Sequence, residues 1–229
     1  MVLIVENDPD VPAGILKSLL IEKGLEYSIL RAHSEDPCGA PSRAKGLVVL
    51  GGAMSTSDED RYPFLLHVKG LMKSSVERGI PVLGICLGGQ LLAEVAGGRV
   101  ARESHGERGL HDVVLTRHGK RDPLFAGLPE RFTVFQWHND SFTPPEHAVP
   151  LAGSPNCAHQ AFRIGKHAYG IQFHPEVEEH IVSSWAAGSS ASAEIETAFD
   201  AYCREGLDTA ARRLLRNFIG MTASARTPP

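Results

Sequence analysis

The sequence predicts an α/β fold of three layers, with a mostly parallel central sheet and helices on both faces. Three observations predict it. Short apolar runs such as VLIV at 2–5, VVL at 48–50 and PVLGI at 81–85 read as strands buried on both sides. Stretches of helical period separate them, and a β-α-β-α rhythm needs crossovers that make neighbouring strands parallel. The 229 residues, 42% of them hydrophobic, are enough for one sizeable core.

VLIV opens the sheet almost at the first residue. Residues 11–23 follow as a helix with Ile15, Leu16, Leu19 and Leu20 on one face. SIL at 28–30 is a weaker strand, and GLVVLGG at 46–52 is a strand that ends in two glycines. Residues 62–78 form the second helix and PVLGI the next strand. Residues 88–96 form a helix that stops at Gly97-Gly98, where glycine supplies a C-terminal cap. The crossovers are expected to be right-handed. From about residue 99 the rhythm changes. DVVLT at 112–116, FTVFQW at 132–137, residues near 159–163 and AYGIQF at 168–173 have no long helix between them. They read as partly antiparallel strands extending the same sheet. Residues 186–193, rich in Ser and Ala, are expected to be a mobile linker. Residues 194–219 are helical in pattern, with Leu214, Leu215, Phe218 and Ile219 as the apolar face. The tail, 222–229, is expected to be disordered. Without internal repeats, the chain reads as one domain over 1–229.

Composition excludes several function classes. A net charge of -4 gives no basic excess for nucleic acid. No apolar run approaches the roughly 20 residues of a membrane span. The start, MVLIVENDPD, lacks a basic segment followed by a long apolar one, so no secretory signal is expected and a cytoplasmic location is. Cys38, Cys86, Cys157 and Cys203 form no CxxC pair, and in that compartment they are expected to be reduced. The eleven histidines show no HExxH and no metal-ligand spacing, so neither a metal nor another cofactor is expected.

The chemistry concentrates at three strand ends. In GICLG, Cys86 stands between a strand and a helix with glycines on either side. Such a corner resembles a nucleophile elbow: the turn is tight, and the helix N-terminus offers amides and a positive dipole end that favour a thiolate. The plain alternative is a small buried cysteine at a helix start. A thiol nucleophile needs a base. YGIQFHPE puts His174 at the end of a strand that Pro175 does not let continue, with Glu176 two residues on to hold the far ring nitrogen. In LGGAMS, the amide of Gly52, with that of Leu87, can form an oxyanion hole, and Gly51 allows close approach; from this stretch alone a plain Gly-Gly turn is the preferred reading. All three lie where ligands bind in open parallel sheets.

Together LGGAMS, GICLGGQLLA and GIQFHPE, in this order, resemble the class I (triad) glutamine amidotransferases from the first strand to about Phe218. FQWHNDSF at 135–142 further resembles the stand-alone subgroup related to the glutaminase domain of GMP synthetase. The resemblance implies a flavodoxin-like fold and hydrolysis of L-glutamine through a cysteinyl thioester. It makes Cys86 the nucleophile, His174 the acid and base, Glu176 the orienting group, and Gly52 and Leu87 the oxyanion donors. Gln90 and Gly51 would meet the glutamine, with the backbone around Gln136, Trp137 and His138 at its α-amino and α-carboxylate groups. For the side chains of His138 and Asp140 the structural reading is the favoured one, a rim histidine and a turn aspartate. The sequence departs from the pattern at Gly89, usually His, and at Ala53, often Pro. Gly89 is expected to loosen the first turn of its helix at up to about 1 kcal/mol. With no P-loop in the chain, the ammonia would go to a separate synthetase or transferase. Two rivals share the fold: a γ-glutamyl peptidase acting without a partner, and a non-catalytic regulatory module. A dienelactone-hydrolase-like reading ranks lower, because it wants an Asp between nucleophile and histidine.

Overall fold

Four of the five residues of β1 (Val2–Glu6) are apolar because both faces of the strand are covered. Val2 and Ile4 pack in one cluster with Leu16, Leu19 and Leu20 of α1 (Ile15–Glu22) and Leu214, Leu215 and Phe218 of α6 (Thr209–Ser224). Leu3 and Val5 point the other way, toward Leu65, Val68 and Met72 of α2 (Phe64–Glu77) and Leu91 and Leu92 of α3 (Leu87–Val95). Each such side chain taken from water contributes about 1.5–3 kcal/mol, which is what holds a helical layer on each side of the sheet.

The computed structural model describes residues 1–34, 44–206 and 208–224; Cys38 and residues 225–229 of the expected tail lie outside the described residues. The remaining strands are β2 (Tyr27–Arg31), β3 (Gly46–Val49), β4 (Val82–Ile85), β5 (Arg99–Ala101), β6 (Glu107–Leu115), β7 (Arg131–His138), β8 (Ser141–Thr143), β9 (Val149–Gly153), β10 (Ala161–Ile164) and β11 (Ala168–Ile171). Two further helices are α4 (Glu179–Ala186) and α5 (Ser192–Arg204). The described residues form a nine-stranded sheet in the order β2-β1-β3-β4-β11-β10-β9-β6-β7. From β2 to β11 the pairs are parallel, and from β11 to β7 they are antiparallel. The late strands thus extend the parallel sheet, as expected. β5 and β8 form a separate antiparallel pair.

α3 lies closer to the sheet than side chains would permit. A Cβ on Gly84 would stand 2.3 Å from the Gly88 carbonyl oxygen. One on Gly88 would stand 2.1 Å from the Val49 oxygen, and one on Gly89 2.6 Å from the Ile171 oxygen. Gly89, expected to loosen the helix, is therefore what lets its first turn settle on β11.

The last third differs from expectation in three places. Residues 186–193 are the end of α4, a hydrogen-bonded turn and the start of α5: Ala187 N–H donates to Ser183 O at 3.0 Å and Ser189 N–H to Ala186 O at 2.9 Å. The turn joins two helices that share one apolar cluster, with Phe135, Ile181, Val182, Phe199 and Tyr202. The helical pattern over 194–219 is two helices, parted at Gly206, whose φ is +70°. Finally, α6 runs past 222 to Ser224, because Thr222 is buried against Gly46, where a Cβ would stand 2.4 Å from Thr222 Cγ2.

Two glycine substitutions should move stability in opposite directions. Gly88→Ala forces a backbone contact apart and is expected to cost about 1–3 kcal/mol. Gly70→Ala, in α2 with nothing within 4 Å, is expected to gain about 0.5–1 kcal/mol. Urea unfolding midpoints measure both.

Candidate active site

The turn from β4 into α3 leaves Cys86 at φ 51°, ψ -110°, a conformation that costs a non-glycine residue about 1–3 kcal/mol. Two backbone bonds hold it there. Cys86 N–H donates to Ile171 O at 2.8 Å, and Gln90 N–H donates to Cys86 O at 2.9 Å. The side chain faces a cavity of about 390 Å³ at the carboxyl ends of the parallel strands, bordered by Asp8, Gly52, Gln90, His138 and His174.

His174 reaches the same cavity from the segment after β11, where its own N–H donates to Phe135 O at 2.9 Å. Its Nδ1 lies 2.8 Å from Glu176 Oε1, as the sequence spacing predicted. A carboxylate accepts, so Nδ1 carries the proton and Nε2 is left for the cavity. That Nε2 is buried and has no hydrogen-bond partner among the described residues. Burial works against a charged ring, but Glu176 and then Cys86 outweigh it and raise His174 well above its ordinary 6.5. Trp185 of α4 packs edge-on against the ring, centroids 4.8 Å apart, and donates Nε1–H to Asp10 O at 2.7 Å.

The double glycine divides its work. A Cβ on Gly51 would stand 3.2 Å from His174 Cε1 and 3.6 Å from Cys86 Cβ. Gly51 therefore lets thiol and imidazole share one space. Gly52 borders the cavity. A Cβ there would meet Met54 Sδ at 2.5 Å and Leu87 Cδ2 at 3.0 Å, so Gly52 and Leu87 are neighbours. The loop after Gly52 is tethered: Asp8 Oδ2 accepts from Ala53 N–H at 3.0 Å, and Asp58 Oδ2 from Ser55 N–H at 2.8 Å. The Gly52 amide, by contrast, has no acceptor among the described residues.

Of the other expected contacts, Gln90 and Trp137 border the cavity. Gln90 Nε2 donates to Asp140 O at 3.2 Å, and the Trp137 carbonyl lies 4.0 Å from Cys86 Sγ. At Gln136 the expectation concerns the backbone, and the side chain turns elsewhere. It is fully buried away from the cavity and donates to Gln160 Oε1 at 2.9 Å, because strand alternation turns it opposite to Trp137. His138 borders the cavity, yet both ring nitrogens are engaged, Nδ1 by Asp140 O at 2.9 Å and Nε2 by Glu107 Oε2 at 3.3 Å. That arrangement favours its structural reading.

The sequence reading missed Asp8, Gln172 and Glu107. Asp8 follows β1 at the same end of the sheet as Cys86, so its position at a strand end was a usable signal. Gln172 donates Nε2–H toward Cys86 Sγ at 3.6 Å. Glu107 accepts from Ser154 Oγ at 2.8 Å and from Gln160. Burial pushes its carboxyl up, but the bonds from His138 and Ser154 prevail and hold it below the ordinary 4.5. Among the described residues no group of three or more His, Cys, Asp or Glu side chains is placed to hold a metal, and no helix is long and apolar enough to cross a membrane.

Comparison with known proteins bears on this arrangement. Residues 13–181 match the family model described as glutamine amidotransferase class-I. A glutamine-hydrolysing GMP synthase of Staphylococcus carnosus is 38% identical over 135 residues, 58% of this chain and 24% of that protein. One subunit of the glutamine-hydrolysing GMP synthase of Methanoculleus marisnigri is 31% identical over 180 residues, 78% of this chain and 89% of that one. The chain spans 24% to 31% of the length of the first three curated relatives it matches. A solved glutamine amidotransferase from Thermotoga maritima superposes with a TM-score of 0.82 at 30% identity, over 95% of this chain and 97% of that one.

The Glu107–His138 pair should show in acid. A lowered carboxyl contributes stability that is fully present above its ordinary 4.5 and is lost as pH falls through the lower folded-state value. Glu107→Gln is expected to cost about 1–3 kcal/mol at neutral pH. The difference from the unaltered chain should close as pH drops below 4.5, read by thermal unfolding across pH.

Proposed function

The chain belongs to the class-I glutamine amidotransferase family, and from that membership we propose that it hydrolyses the side-chain amide of L-glutamine through a thioester on Cys86. The observation that carries the reading is the arrangement of Cys86 and His174 around one cavity, with Glu176 holding the imidazole from behind. The Cys86 sulfur attacks the amide carbon, and the carbonyl electrons move onto oxygen. The amides of Gly52 and Leu87 are assigned to hold that oxyanion. Its collapse breaks the C–N bond, and His174 Nε2–H protonates the departing nitrogen, which leaves as ammonia. A raised pKa suits this step, because the ring is still protonated at neutral pH. Water then attacks the thioester while His174 takes its proton, the C–S bond breaks, and glutamate leaves. No metal or other cofactor enters these steps.

Gln90 and the peptide groups of Trp137 and His138 are assigned to the amino-acid end of glutamine. Arg108 borders the same cavity with its guanidinium 5.3 Å above the Trp137 ring, and it supplies a cation for the α-carboxylate. The ammonia passes to a separate synthetase chain. The Methanoculleus relative, named as one subunit of a glutamine-hydrolysing synthase, supports that arrangement.

Ammonia and glutamate released by the purified chain from glutamine test the reading. Equal amounts of both are expected, and Cys86→Ala should lower turnover by more than about 10³-fold, because nucleophile and base act as a unit. Glu176→Gln should lower kcat by about 10²- to 10⁴-fold with a smaller effect on KM. Glutamate release that survives Cys86→Ala would sink the mechanism. Turnover of a γ-glutamyl amide but not of free glutamine would move the substrate to γ-glutamyl compounds and leave the thioester chemistry in place.

A further inference from the structure

Four hydrogen bonds converge on Asp140, just past the end of β7, one from the adjoining end of β7 and three from distant parts of the chain. Its Oδ2 accepts from Ser55 Oγ at 2.9 Å and its Oδ1 from the Glu103 amide at 3.0 Å. Its carbonyl oxygen accepts from Gln90 Nε2 at 3.2 Å and faces His138 Nδ1 at 2.9 Å. A turn aspartate would spend its carboxylate on backbone groups two or three residues away. Asp140 instead reaches across 85 residues to Ser55 and 37 to Glu103. The Glu103 end is itself informative: this non-glycine residue has φ +48°, a left-handed conformation that needs an outside contact to hold it.

We propose that Asp140 is a positioning residue for the reaction, a tether that fixes the Gly52 loop across the cavity from the elbow. Asp8 already holds that loop at Ala53 from the β1 side. Asp140 holds it at Ser55 from the β7 side, so the Gly52 amide lies on a segment bound to both walls. Through its carbonyl the same residue orients Gln90, one helical turn beyond Cys86. The tether touches no reacting atom. It acts on the step that builds negative charge on oxygen, because only that step needs the amide in place beforehand. The inference rests on the thioester mechanism proposed above.

Asp140→Ala separates this role from general support when two reactions of Cys86 are compared. Glutamine turnover passes through an oxyanion, whereas alkylation by iodoacetamide does not. The expected result is a kcat lower by about 10- to 10²-fold with a smaller change in KM, and an alkylation rate within about 2-fold of the unaltered chain. Asp140→Asn should restore most of kcat, since its amide oxygen still accepts from Glu103 and its NH₂ can donate to Ser55 Oγ. Ser55→Ala should lower kcat in part, and Asp140→Ala on that background should cost less than it does alone. An unchanged kcat in Asp140→Ala, or equal slowing of alkylation and turnover, would overturn the proposal. Amide hydrogen exchange over 51–55 and 102–104 reads the tether without substrate: faster exchange in Asp140→Ala supports it, and unchanged exchange overturns it. If the unaltered chain fails on glutamine while exchange still quickens in Asp140→Ala, the glutaminase reading falls and the tether stands.

Discussion

The seating of α3 on the sheet is the constraint on which the rest depends. Four backbone segments meet there without side chains between them, at Gly84, Gly88, Gly89 and the neighbouring carbonyls of Val49 and Ile171. The close fit does two things at once. It brings the first turn of the helix within reach of the double-glycine loop after β3. It also presses Cys86 into a backbone conformation that a free peptide rarely visits, with the Ile171 carbonyl accepting from its amide. The strain is local, and the apolar packing of two helical layers over-determines it.

Two imidazoles, each paired with a carboxylate, border one cavity, and the contrast between them sorts their roles. His174 has Glu176 on Nδ1 and nothing on Nε2 among the described residues. His138 has acceptors on both nitrogens, and its carboxylate, Glu107, is wrapped by Ser154 and Gln160. The chemistry of the side chains is the same. An imidazole with one open nitrogen can pass a proton, whereas one with both closed can only hold a wall.

The parallel half of the fold was legible because its strands are buried on both faces and its helices on one, so composition and period agree. Cys86, His174 and Glu176 were legible for a related reason: each stands at or just past a strand end, where chain order nearly fixes position. The course of the Gln136 side chain was not: three consecutive residues of β7 look like one surface in a sequence, but alternation sends Gln136 into the Glu107 network and Trp137 to the cavity wall. α4 was hidden because its eight residues, EHIVSSWA, are too short and too rich in serine and β-branched residues to announce a helix alone. It forms because Ile181 and Val182 find Phe199 and Tyr202, a partnership that only tertiary structure reveals. Asp140 was visible as a residue but not as a tether, since its partners lie 37 to 85 residues away.

The chain contains two tryptophans, Trp137 and Trp185, and both border the cavity that Cys86 faces. Trp185 touches the His174 ring, and Trp137 lies under the Arg108 guanidinium and stacks on Phe135. All indole light emitted by this protein therefore originates at the cavity wall. Ligand entry, modification of the thiol and titration of the imidazole all alter the surroundings of those chromophores. The protein carries its own optical reporter, with no label to attach and no background from distant indoles to subtract.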